Sequence, residues 1–244
     1  MGEYVAWFLQ AEQWTGPSGI PTRLGEHVLL TVATMLVACA VALPLGVGLG
    51  RAGRGGWLVV TLSNATRAVP TFAVLILAVV AVGFGFLPNV IALTLFAIPP
   101  ILANAYVGVA EVDRDVTEAA RGMGMSGRQV LRRVQVPLAL PLVAAGVRTS
   151  TVQVIATATL AAYVGSGGLG RIIRDGFAVR DLPAVFGGAV LVAALALLAE
   201  VGLGRLERRL TPGRQRTVRP GSGHLPGGVA PGDVPALQGG SGQG

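Results

Sequence analysis

The chain has 244 residues, of which 52% are hydrophobic, 13% charged and only 5% aromatic. A soluble domain of this length has too little interior for so much apolar surface, so the composition excludes an ordinary cytosolic globule and fits an all-α membrane protein. The net charge of +7 comes from nineteen basic residues, all arginine and spread between apolar runs, which reads as a topology signal and excludes a nucleic-acid footprint. A lysine-free chain also has no Gly-x-x-x-x-Gly-Lys phosphate loop.

Residues 1–25 are expected to form a short external lead, with Trp7, Phe8 and Trp14 at the lipid–water boundary. Glu3 and Glu12 stand where a secretory signal carries basic residues, so the first span is expected to be retained. Apolar runs near 27–50, 57–83, 88–110, 138–162 and 183–203 each reach the ~20 residues that cross hydrocarbon as a helix. About five spans follow, and 26–210 forms the membrane domain. Span two is interrupted by Arg67 and Pro70, flanked by Thr66 and Thr71, which predicts a kink. From 211 to 244 the chain turns to Gly, Pro, Ser and Arg with little to bury and reads as a disordered tail.

The arginines set the orientation. Arg51 and Arg54 follow span one, Arg114, Arg121, Arg128, Arg132 and Arg133 lie between spans three and four, and Arg205, Arg208 and Arg209 follow span five. These alternate loops are expected to face the cytoplasm, with the N-terminus outside and the C-terminus inside. Arg171, Arg174 and Arg180 on the opposite side depart from the pattern and are partly offset by Asp175 and Asp181.

The loop between spans three and four carries the strongest local signal. Glu118-Ala119-Ala120 is followed after three residues by Gly124 and after nine more by Val134-Gln135-Val136-Pro137. Asp115 with Glu118, and Ser126 with Gln129, have capping-box spacing, so two short helices are predicted on the membrane surface. Gly124 suits the left-handed turn between them, and Pro137 suits the first turn of the next helix.

This spacing resembles the Glu-Ala-Ala signature of permease subunits of bacterial ATP-binding-cassette importers, with valines at the positions of isoleucine and leucine. Stretches such as Ala145-Gly-Val-Arg-Thr149, Ala156-Thr-Ala-Thr-Leu160 and Gly165-Ser-Gly-Gly-Leu-Gly170 are similar to the osmoprotectant branch, whose permeases serve glycine betaine, carnitine or choline. The resemblance covers about 25–210. It implies a type I importer permease core in the bacterial cytoplasmic membrane, working by alternating access. The loop would be a cytoplasmic coupling helix, in which Glu118, Ala119, Ala120, Gly124, Val134 and Pro137 engage a separate ATPase. The implied partners are that ATPase, an extracytoplasmic substrate-binding protein, a second permease copy or close relative, and membrane lipid. ATP and magnesium would belong to the ATPase, leaving this chain a transport subunit without cofactor or catalytic residue. A permease for methionine or another small amino acid is the alternative within the class; a channel or scaffold without ATP coupling is the alternative outside it.

Polar residues inside spans mark candidate pathway positions. Arg148, Thr151 and Thr159 share one face of span four, with Thr149, Gln153 and Thr157 on an adjacent strip. Two readings stand. The face lines a translocation pathway, or Arg148 is structural and the threonines bond their own backbone. Arg67 likewise either faces the pathway or snorkels to the interface, and Asn104 and Tyr106 are expected to brace the loop that follows them. Gly165, Gly167 and Gly170 spell a dinucleotide-binding pattern but follow a membrane helix, so a tight external turn is expected. Cys39, His27 and His224 are isolated from other metal-ligating residues, and no metal site is expected.

Overall fold

The computed structural model describes residues 2–210, apart from the side chains of Ala65, Arg67 and Leu210; the tail expected at 211–244 lies outside the described residues. In chain order the helices are α1 (Gly2–Leu9), α2 (Ile20–Ala52), α3 (Gly56–Ala68), α4 (Thr71–Val82), α5 (Phe86–Ala110), α6 (Arg114–Gly122), α7 (Gly127–Val130), α8 (Val136–Thr157), α9 (Gly170–Val179) and α10 (Leu182–Leu210). Short 3-10 segments cover Ala11–Trp14 and Ala158–Val164, and a π turn covers Leu131–Gln135. No strand occurs among the described residues.

Among the described residues, four helical stretches are long and apolar enough to cross a membrane: Ile20–Ala52, Phe86–Ala110, Gly127–Val164 and Leu182–Arg209. The expected second span is not one helix. It is split into α3 and α4, of 13 and 12 residues, each short of the ~20 needed to span alone. Pro70 has no N–H to continue α3 and pushes Val69 into an extended conformation, while the Pro70 carbonyl starts α4 by accepting from the Ala73 and Val74 amides. The proline therefore breaks the span instead of kinking it.

α5 is buried over 61% of its apolar window against 22–33% for the other three long stretches, which makes it the central helix. Met35, Ala38 and Ala42 of α2 meet Ala97, Ile101 and Leu102 of α5, joined by Val59 of α3 and Val154 of α8. Small residues permit the close crossing: a Cβ at Gly46 would lie 2.7 Å from the Ala105 Cβ and 2.8 Å from the Leu102 carbonyl oxygen. Ser150 of α8, fully buried, donates to the Ala97 carbonyl of α5 at 3.0 Å. Leucines and valines such as Leu36, Val80 and Leu198 face outward, as surfaces turned to lipid do.

The N-terminal lead folds back on the bundle. Trp14 donates its indole N–H to the Phe8 carbonyl at 2.7 Å. Trp7 is buried against Gly187 of α10, and Tyr4 stacks edge-on with Phe186, 5.0 Å between centroids. α10 thus serves as the anchor for the lead.

Candidate functional site: a surface elbow and a polar cavity

The elbow between α6 and α7 is built by backbone chemistry at each junction. Asp113 caps α6, its Oδ1 accepting from the Asp115 amide at 2.8 Å. The box expected at Asp115 and Glu118 therefore starts two residues too late; Asp115 lies inside the first turn, where its charge favours the helix N-terminus. α6 ends in a Schellman pattern, the Met125 amide donating to the Ala120 carbonyl at 3.2 Å and the Gly124 amide to Arg121 at 2.9 Å. Gly124 has φ +82°, the left-handed conformation that pattern requires. The second box forms as expected: the Gln129 amide donates to Ser126 Oγ at 3.4 Å and the Ser126 amide to Gln129 Oε1 at 2.7 Å.

Pro137 stands in the first turn of α8, as expected, but α8 follows the preceding turn without a break. α7, the π turn and α8 run on as one helical stretch to Val164, so the elbow is joined directly to the fourth span. The Val136 amide reaches back to Leu131, and this wide turn brings the chain past a proline that cannot donate. On the elbow, Thr117 and Ala120 face inward, Glu118, Ala119 and Gly124 are exposed, Val134 is half-buried and Pro137 exposed. Val116 and Met123 are exposed apolar side chains on this polar surface, 43% and 77% accessible.

A cavity of about 460 Å³ lies between α3, the Pro70 break, α5 and α8. Ser63, Thr66, Thr71, Asn104, Thr149 and Gln153 give it hydroxyl and amide groups, and Phe96, Pro99 and Pro100 form an apolar wall. Its polar lining draws on the Thr149–Gln153 strip of α8. Arg148 and Thr151 are not among its lining residues, Thr159 lies beyond the end of α8, and the Arg67 side chain is outside the described set. Thr151 donates to the Val147 carbonyl within α8 at 2.8 Å, and Thr159 donates back to the Ala156 carbonyl near the end of α8 at 2.7 Å. Asn104 likewise bonds the Pro100 carbonyl at 2.8 Å.

Arg148 has two partners that the sequence reading missed. Its Nη1 lies 3.4 Å from Glu200 Oε1 and 3.6 Å from Glu207 Oε2 on α10. The available signal was their spacing, seven positions apart and so on one helical face, with Glu200 already inside an apolar run.

At the other end of the bundle, the glycine pattern is a turn, as expected. Gly165 and Gly168 have φ of +88° and +90°, and the Gly168 amide donates to Glu26 Oε2 at 2.7 Å. Arg23 donates to the same oxygen at 2.9 Å. The neighbouring His27 is 1% exposed, and its Nε2 donates to the Ile155 carbonyl at 3.0 Å, where α8 tightens towards its 3-10 end. Glu26 and His27 thus tie the start of α2 to the far end of α8. No metal-ligating cluster is present among the described residues.

Comparison with known proteins agrees with this architecture. Residues 42–212 match the family described as the binding-protein-dependent transport system inner membrane component. The carnitine transport permease protein OpuCB of Listeria monocytogenes is 39% identical over 196 residues, covering 80% of this chain and 90% of that protein. The glycine betaine/carnitine/choline transport system permease protein OpuCB of Bacillus subtilis is 37% identical, over 78% of this chain and 88% of its own length. Among solved structures, an inward-facing form of the MetNI methionine ABC transporter superposes with a TM-score of 0.68 over 79% of this chain and 96% of that one, at 23% identity, a likeness of fold. With four membrane-length helices and a family match over most of its length, the chain is a multi-pass inner-membrane protein and belongs to the family of binding-protein-dependent transport system inner membrane components.

Proposed function

We propose that this chain is the permease subunit of an ATP-driven importer for a small quaternary-ammonium osmoprotectant such as glycine betaine, carnitine or choline. The observation that carries the substrate class is near full-length similarity to permeases named for carnitine and for glycine betaine, carnitine and choline. The polar cavity suits such a cargo. Its hydroxyl and amide groups can hydrogen-bond a carboxylate or hydroxyl end, and among the described residues none that lines it carries a charge that would trap a zwitterion.

In this account residues 26–210 are the permease domain, the N-terminus is external, and the elbow of Glu118, Ala119, Ala120, Gly124, Val134 and Pro137 faces the cytoplasm. The exposed Val116 and Met123 support docking of a separate ATPase there. ATP and magnesium sit on that subunit, and this chain contributes no catalytic group. A second permease copy or close relative completes the pathway, and an external binding protein delivers the substrate. ATPase closure pushes the elbow; the continuous helix from Gly127 passes that displacement into the bundle and exchanges outward and inward openings.

The test is radiolabelled glycine betaine uptake in a transport-deficient host carrying this permease with its ATPase and binding protein. Uptake blocked by choline and carnitine but not by methionine is expected. Uptake blocked by methionine alone would overturn the substrate class and leave the importer reading intact.

A further inference from the structure

The Arg148 cluster joins the helix that begins at the elbow to the last helix of the bundle. Gly127 and Arg148 lie on one helical stretch, about 30 Å apart at 1.5 Å per residue. A single nitrogen, Nη1, approaches both Glu200 and Glu207, which stand about two turns apart on α10. Gly204 lies between them, and a Cβ there would come within 3.1 Å of that nitrogen, so the glycine forms the notch that receives the guanidinium. α8 and α10 pack through Ile155 against Val192, with Leu195 and Ala199 alongside. An apolar groove of about 460 Å³ opens between them and α2, lined by Thr151, Ile155, Leu195, Ala199, Gly202 and Leu203 among others. The charged cluster and this groove lie along the same α8–α10 contact.

We propose that Arg148 is a positioning residue that keys α10 to α8, so that displacement of the elbow carries α10 with it; this rests on the coupling role proposed above. The physical reason is the cost of separation. The three side chains are only 23–43% exposed, and sliding α8 past α10 would leave one cation and two carboxylates unpaired in apolar surroundings. Because one nitrogen meets both carboxylates, charge matters here and the two-pronged guanidinium geometry does not, so lysine should serve in its place.

The experiment measures substrate translocated per ATP hydrolysed by the full transporter, with ATPase and binding protein, in sealed lipid vesicles. R148M is expected to lower that ratio about fivefold or more, whereas R148K retains it. R148M leaves two glutamates without a partner, so the triple variant R148M/E200Q/E207Q removes all three charges at nearly constant size and carries the test if the single variant does not assemble. The same loss in the assembled triple variant supports the proposal. A wild-type ratio in the triple variant, with G124V uncoupled, overturns the key while sparing the elbow. A wild-type ratio in G124V overturns the coupling role itself, and the key with it.

Discussion

Replacing Gly124 isolates backbone conformation from contact. The residue sits at φ +82° in the turn that ends α6, and an added Cβ would meet nothing within 4 Å. The cost of a side chain there is therefore conformational. An L-residue forced into the left-handed region loses about 1–2 kcal/mol, more for a β-branched one. A difference of that size shifts a two-state population about 5- to 30-fold. G124V should thus depopulate the native elbow, turning α6 away from α7 while the membrane helices insert normally. G124N should lose little, since asparagine tolerates this conformation. Immunoblotting of washed membranes checks insertion, and translocation per ATP in reconstituted complexes checks coupling. Normal coupling in G124V would refute the argument. Equal damage from valine and asparagine would show that the outer surface at Gly124, not its φ, is what the partner needs.

Three further outcomes are expected. H27F leaves the Ile155 carbonyl without its buried donor, which costs about 1–3 kcal/mol and should lower the melting temperature in detergent; an unchanged Tm would mean that the bond contributes nothing net. G46L drives a side chain into the Leu102 carbonyl and Ala105, an overpacking of about 1–3 kcal/mol that should reduce the yield of folded monodisperse protein, and an undiminished yield would show that α2 and α5 can separate freely. Q153L with T149V strips polar groups from the cavity and should slow uptake without releasing the ATPase, whereas T151V, which removes only a bond within α8, should transport normally; the reverse order would place the pathway on the Arg148 face.

Much of this architecture was readable from local chemistry. Long apolar runs gave the membrane helices, and Ser126 with Gln129 marked the start of α7 because a capping box needs only four consecutive residues. The misses have distinct causes. Asp115 and Glu118 satisfy the box spacing, but Asp113 lies two residues ahead and took the cap first. Pro70 was visible as an interruption, yet hydropathy averages across a break, so two helices looked like one span. The fifth run was ended near 203 where apolar residues thin out, although α10 continues to Leu210 and carries Glu207 onto the Arg148 face. The wheel of span four separated two polar strips without saying which one met the polar cavity. Glu26 with Gly168 and His27 with Ile155 pair across 142 and 128 residues, distances at which no local pattern speaks.

The central claim is that substrate movement through this chain is driven by a docked ATPase. The most direct measurement is substrate accumulation in vesicles reconstituted with the permease, followed with the ATPase, ATP or the binding protein omitted in turn. The account predicts uphill accumulation only when all three are present. Downhill flux that persists without the ATPase would contradict it and mark the chain as a channel.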